Sequence, residues 1–94
     1  MPLYLMLTKL TEKGVQTLNA HPARLREVNR DVEELGARIV HQWAAIGAYD
    51  FVNIVDAPDD VTLAKISMRV GARGSMRFES LPLVPVEDLV TALE

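Results

Sequence analysis

Hydrophobic positions along the chain form short continuous runs and one clear stripe at helical spacing. Residues 3–9 make an apolar run, which is typical of a strand covered on both faces. Pro22 suits the first turn of a helix, because its φ is preset and its missing N–H has no partner there. Gly36 suits the left-handed position that ends such a helix. The predicted stripe between them comprises Leu25, Val28, Val32 and Leu35.

The remaining pattern predicts three strands and two helices. Residues 37–46 and 49–57 read as strands joined by a tight turn at residues 47–48, which implies an antiparallel hairpin. A second helix starts in the acidic segment 57–60, where carboxylates favour the positive end of a helix dipole, and ends at Gly71. Residues 75–84 form a fourth strand, and a short terminal helix begins at Pro85.

The order of these elements, β-α-β-β-α-β with a tail helix, is the split βαβ or ferredoxin-like pattern. Right-handed crossovers place both main helices on one face of a four-stranded antiparallel sheet. We therefore predict an α+β fold and a single domain over residues 1–94, with a short C-terminal helix.

Two helices cover one sheet face, yet the strands are apolar on both sides. We expect the helix side to take the purely aliphatic positions. An uncovered patch of this size usually marks an interface, so we predict a homodimer or a higher homo-oligomer. The predicted patch holds Tyr4, Met6, Trp43, Tyr49 and Phe51, interrupted by His41, Asn53, Arg77 and Glu79.

Composition narrows the function classes. Of the 94 residues, 49% are hydrophobic and 24% charged, which is a globular profile, and the net charge of -3 gives no general attraction to nucleic acid. The absence of cysteine excludes thiolate chemistry and disulfides. No apolar run reaches the roughly 20 residues of a membrane helix. We expect a cytoplasmic protein without metal, cofactor, nucleic-acid partner or membrane contact.

Three segments carry a resemblance to a known family. Residues 47–50 read G-A-Y-D, and the flanking segments 9–14 and 50–60 resemble the opening and middle segments of the GYD-domain proteins. The resemblance covers nearly the whole chain. It implies a dimeric α+β barrel, in which two ferredoxin-like sheets face each other. Relatives by fold include cofactor-free monooxygenases, isomerases, haem enzymes and ligand-sensing modules, so the fold does not select a function.

The candidate site residues each have two interpretations. Tyr49 could donate a hydrogen bond to a ligand that Asp50 orients, or both could serve the turn that Gly47 permits. His41 and Trp43 share a strand face, and we expect them to lie close to Asn53 or Phe51. There His41 could shuttle a proton, or it could be a satisfied structural residue.

Charged residues at the strand ends are further candidates. Arg77 and Glu79 alternate on one strand face and could bind a carboxylate or form an ion pair at a subunit interface. Lys9 could neutralise an anionic ligand or simply meet solvent. The predicted ligand-binding set is therefore Lys9, His41, Trp43, Tyr49, Asp50, Asn53 and Arg77, and the catalytic candidates are His41, Tyr49 and Asp50.

Three functions remain open at this point. The first is a homo-oligomeric module that binds a small hydrophobic ligand in a cavity between the helices and the sheet. The second is a cofactor-free enzyme, an oxygenase or isomerase, that uses His41 or Tyr49 with Asp50. The third is a structural subunit that docks through its apolar face on another protein.

Overall fold

The computed structural model describes residues 2–94 and contains four strands and four helices. Their order is β-α-α-β-β-α-β-α. The strands are β1 (Leu3–Leu10), β2 (Arg38–Ala44), β3 (Phe51–Asp56) and β4 (Met76–Pro82). The helices are α1 (Glu12–Ala20), α2 (Arg24–Glu34), α3 (Asp60–Gly71) and α4 (Val86–Leu93).

All neighbouring strands are antiparallel, and their order across the sheet is β2-β3-β1-β4. Met6 at the centre of β1 lies opposite Asn53 on one side and Ser80 on the other. This is the ferredoxin-like α+β arrangement that the element order predicts.

The first crossover contains a helix that the sequence pattern did not predict. Thr11 caps α1, and its hydroxyl accepts a hydrogen bond from the Gly14 N–H at 3.1 Å. The buried residue of this helix is Gly14, which carries no side chain. Because α1 lacks a strong apolar stripe, hydrophobic periodicity alone gave no sign of it.

The helical stripe predicted for α2 is confirmed at its centre. Val28 and Val32 are buried, and Leu25 and Leu35 pack against the same core. On the other side of this core, α3 contributes Leu63, Ile66 and Val70. A carboxylate cap starts α3, since Asp59 accepts hydrogen bonds from the Thr62 N–H at 2.8 Å and hydroxyl at 2.7 Å.

The prediction of which residues face the helices was wrong for four positions. Tyr4, Met6, Phe51 and Asn53 lie beneath the helices and are at most 8% exposed. The opposite face, called the open face below, is aliphatic at its centre and carries charged and aromatic residues around it. It consists of Leu3, Leu5, Leu7, Lys9, Arg38, His41, Trp43, Val52, Ile54, Asp56, Arg77, Glu79 and Leu81.

A bulge in β2 explains why His41 and Trp43 do not share a face with Phe51 and Asn53. The register shifts between Ile39 and His41, so Ile39 pairs with Val55 on the covered face while His41 pairs with Ile54 on the open face. Strict alternation had placed Ile39, His41 and Trp43 on one face. One additional residue in a strand reverses the facing of every position that follows it.

The C-terminal segment extends away from the sheet. Every residue from 81 to 94 is exposed, including the apolar residues of α4. The radius of gyration is 14.4 Å, whereas a compact domain of this length has about 12.4 Å. Among residues 2–94, no helix has the length and apolar character needed to cross a membrane.

Candidate functional site

The open face of the sheet is a surface that the helices leave uncovered. Its centre is aliphatic, because Leu5 lies beside Ile54 and Leu7 beside Val52 in the central strand pair. These four side chains are only partly buried, since no helix covers them. An aliphatic sheet centre of this kind is typical of an interface and uncommon on a free surface.

His41 and Trp43 form an aromatic pair at the β2 edge of the open face. Their rings stack with centroids 5.5 Å apart and planes inclined by 22°. Both are exposed, Trp43 to 54%. They lie opposite Ile54 and Val52, so the predicted proximity to Asn53 or Phe51 was wrong.

Asn53 belongs to a buried polar cluster under the helices. Its amide nitrogen donates to the Met6 carbonyl at 3.0 Å and to the Thr8 hydroxyl at 3.2 Å. The Gln42 amide donates to the Asn53 side-chain oxygen at 2.8 Å and exchanges two hydrogen bonds with Asn29. With these partners, Asn53 fixes the packing of α2 on the sheet and does not reach the open face.

The turn between β2 and β3 runs from residue 45 to residue 50 and is longer than predicted. Gly47 has a φ of +131°, a conformation that other residues rarely adopt. The Asp50 carboxylate accepts a hydrogen bond from the Leu10 N–H at 2.7 Å, and the Asp50 N–H donates to the Thr8 carbonyl at 2.8 Å. Asp50 thus fastens the turn to the end of β1.

Tyr49 crosses the end of the sheet to reach β4. Its hydroxyl donates to Glu79 at 2.5 Å, and this hydrogen bond raises the pKa of Tyr49. Among residues 2–94 of this single chain, Arg77 forms no ion pair with Glu79, and the pairing of these residues at a subunit interface stays a prediction. Arg77 instead lies opposite Lys9 in the β1–β4 ladder, and both are exposed. This end of the open face therefore carries two neighbouring cations.

The three catalytic candidates do not converge. His41 lies opposite Ile54 on β3, and Asp50 lies four residues before Ile54 in the sequence. At roughly 3.3 Å per residue the two are separated by about 13 Å along the sheet. Tyr49 and Asp50 already have protein partners for their hydroxyl and carboxylate groups. Any role of these residues in catalysis or ligand binding stays a prediction.

Cavities between the helices and the sheet are small. One lies beneath α2, beside Asn53 and Gln42, and another lies near Gly14 and Ser75. Each has a volume of about 20 Å³, which is close to the space of one water molecule. Within residues 2–94, no three potential metal ligands cluster together.

A contact that the sequence did not reveal joins β1 to α3. The Tyr4 hydroxyl donates to Asp60 at 2.6 Å, and this hydrogen bond raises the pKa of Tyr4 to about 12. The pair lies at the mouth of a surface cleft of about 330 Å³ between α3 and β4. The residues are far apart in sequence, so only the folded topology brings them together.

Comparisons with known proteins agree with this fold. The family model described as "GYD domain" matches residues 4–93. A protein of Thermus thermophilus, named glutamine synthetase and cystathionine beta-lyase binding protein, is 41% identical over 95 residues, covering the full length of both chains. No solved structure matches the chain significantly. The family match over nearly every residue, together with a full-length relative, establishes that the chain belongs to the GYD-domain family.

Proposed function

We propose that this protein is a homo-oligomeric binding module whose ligands are other proteins, specifically enzymes of the two kinds named for its relative. The observation that carries this proposal is the 41% identity over the entire length of both chains. The match spans the whole of both chains, so it includes the segments that form the surface as well as those that form the core. This proposal joins the homo-oligomer of the first function left open by the sequence with the protein partner of the third, and it moves the partner contact from the apolar face to the turn at residues 45–50.

Pairing of two copies through the open face is the first part of the proposal. The aliphatic centre formed by Leu5, Leu7, Val52 and Ile54 would be covered by the same residues of a second copy. When two copies are related by a two-fold axis, the same surface patch of each copy contacts that of the other. The hydrophobic gain, about 25 cal/mol per Å² of apolar surface, favours such pairing before association costs.

The turn at residues 45–50 is the part that we assign to contact with an enzyme. Ile46 lies at its tip and is fully exposed, beside Gly47 and Ala48. The hydrogen bonds of Asp50 to β1 hold the base of this turn in place. A rigid loop with an apolar tip loses little conformational entropy on binding, which favours affinity.

Binding to purified glutamine synthetase and cystathionine beta-lyase from the same organism tests this function. We expect saturable binding of at least one of them by isothermal titration calorimetry. Ile46→Asp should weaken that binding by about tenfold or more, because it places a charge at a desolvated contact. The control Val61→Asp changes an equally apolar residue that is 76% exposed on α3 and should leave binding unchanged.

One result would overturn the function, and another would exclude the turn from the contact. Absence of binding to both enzymes at concentrations up to the high micromolar range would overturn the proposal. Equal binding by the wild type and Ile46→Asp would show that the turn does not contact the enzyme. The measured affinity would still support the binding function.

Binding of a small planar ligand is a second candidate, favoured by the exposed His41–Trp43 stack. The two cavities near Gly14 and Asn53 are too small for a metabolite, and this candidate places the ligand between two open faces, where the stack lies. Thermal-shift screening of aromatic compounds against the wild type and Trp43→Ala tests it, because a ligand of the folded state raises the melting temperature. Shifts of equal size in both proteins would count against this site.

A further inference from the structure

The C-terminal helix α4 has an apolar face that its own chain does not cover. The residues Val86, Leu89, Val90 and Leu93 follow spacings of three, one and three, which places them on one stripe. They are between 42% and 79% exposed. An isolated helix of eight residues is only marginally stable in water, so α4 needs a surface to pack against.

The link between β4 and α4 is short and extended, and it directs the helix away from its own sheet. Leu83 still continues the ladder beyond β4, because its N–H donates to the Leu3 carbonyl at 3.0 Å. Val84 precedes a proline and is therefore restricted to extended conformations. Pro85 itself is extended, with φ -56° and ψ 135°. The chain thus leaves the sheet in the direction of β4 and carries α4 away from the body.

The chain exposes more surface area than a typical monomer of its mass, and the excess is close to the area that a second copy would cover. A folded monomer of 10.4 kDa exposes about 5,400 Å², whereas this chain exposes 6326 Å². The excess of about 900 Å² is close to the roughly 800 Å² that each partner contributes to a standard interface. The chain therefore has about one subunit's share of surface to bury.

The apolar surface also runs without interruption from the open face to α4. Leu81 lies on the open face opposite Leu5, and Leu83 continues the same side of the strand two residues later. Both are about 40% exposed. The surface assigned above to pairing of two copies therefore leads directly into the stripe on α4.

We propose that α4 is an exchanged arm: each copy packs the apolar stripe of its α4 on the body of a second copy of this chain. This inference rests on the pairing of two copies under the proposed function and adds the segment that secures it. Reciprocal exchange about a two-fold axis covers both arms at once. A foreign protein would cover one arm and would have to match a surface that is continuous with the pairing face.

Photo-cross-linking with isotope mixing tests the exchange directly. A benzophenone side chain replaces Leu89, and this protein is unfolded and refolded with a large excess of isotopically heavy wild type. If the arm is exchanged, most cross-linked peptides from the body are heavy, because the partner is usually a wild-type chain. The matched control places the same probe at Thr91 on the polar side of α4, where cross-links should be few.

Removal of the arm gives an independent measurement. A chain that ends at Leu83 keeps β4 and its last backbone hydrogen bond, and its dimer dissociation constant should rise by at least about tenfold. Leu89→Asp should act in the same direction, whereas Thr91→Asp should not. Circular dichroism of each variant reports whether the sheet stays folded.

The outcomes separate this inference from the pairing itself. A dimer whose cross-links are entirely light, or absent, would overturn the arm exchange and leave the pairing intact. Unchanged dimer affinity after removal of the arm would also overturn it. A full-length chain that stays monomeric at micromolar concentration would overturn both.

Discussion

Two buried polar side chains, Asn53 and Tyr4, show how single residues organise this sheet. Each lies on the covered face and finds a partner there: Asn53 with Gln42, and Tyr4 with Asp60. Burying a polar group without such a partner would cost free energy. The sequence pattern assigned both residues to the open face, because it assumed that the helices cover only aliphatic positions. The hydrophobic pattern of one segment does not show which hydrogen-bond partners lie on distant elements.

Because of the Tyr4–Asp60 hydrogen bond, we expect the stability of the fold to decrease at alkaline pH. The folded pKa of Tyr4 is raised from its usual value of 10 to about 12, so its stabilising contribution is present below pH 10 and is lost as the pH rises towards 12. Tyr4→Phe should lower the melting temperature by a few degrees at neutral pH.

Thermal melts of both proteins across this pH range provide the measurement. The difference in melting temperature between the wild type and Tyr4→Phe should shrink as the pH approaches 12. A difference that stays constant would contradict the assigned role of the hydroxyl. Tyr49→Phe serves as a comparison, because its partner Glu79 is on the exposed end of the sheet.

At the scale of secondary structure, the strands and the two long helices could be predicted from the sequence, whereas α1 and the β2 bulge could not. The predicted elements have strong periodicity or clear caps, such as Asp59 before α3. The helix α1 instead depends on the close approach of the Gly14 backbone to Ser75. A bulge does not produce a recognisable pattern of hydrophobic residues. Both are tertiary effects that local patterns do not encode.

The close approach at Gly14 leads to a prediction about α1. A Cβ atom at residue 14 would lie 2.1 Å from the Ser75 carbonyl oxygen, which is backbone and cannot rotate away. Gly14→Ala should therefore destabilise the fold by about 1–3 kcal/mol, as measured by urea unfolding.

Gly71 offers a matched control for this substitution. A Cβ atom there would lie 3.7 Å from the Met76 carbonyl oxygen, which is ordinary contact. Gly71→Ala should change stability by less than about 1 kcal/mol, because alanine favours the helix. Equal effects of the two substitutions would contradict the assigned packing of α1 against the α3–β4 loop.

At the scale of the whole molecule, the chain leaves an apolar sheet face and an apolar helix stripe exposed. Its sheet is covered on one side only, and its terminal helix projects from the body. The sequence predicted an uncovered apolar face because two helices cannot cover both sides of four strands. It placed His41, Trp43, Arg77 and Glu79 there correctly but was wrong for four residues of β1 and β3. The covered face accepted Tyr4 and Phe51, while Leu5 and Ile54 lie outside.

The candidate site could be predicted only in part. Trp43, His41, Arg77 and Lys9 lie at the edges of the open face, whereas Asn53 lies on the opposite side of the sheet. The motif at residues 47–50 identified the family, but the hydrogen bond that the Asp50 carboxylate accepts comes from Leu10, forty residues away on β1. Sequence motifs indicate which residues matter together, and the topology determines what they contact.

Sedimentation equilibrium of the full-length chain at micromolar concentration shows whether two copies pair through the open face. We predict a mass of at least twice 10.4 kDa, with Ile54→Asp on the open face shifting the protein towards a folded monomer and Val61→Asp on α3 leaving the mass unchanged. A wild-type chain that sediments at 10.4 kDa throughout this range would contradict the account.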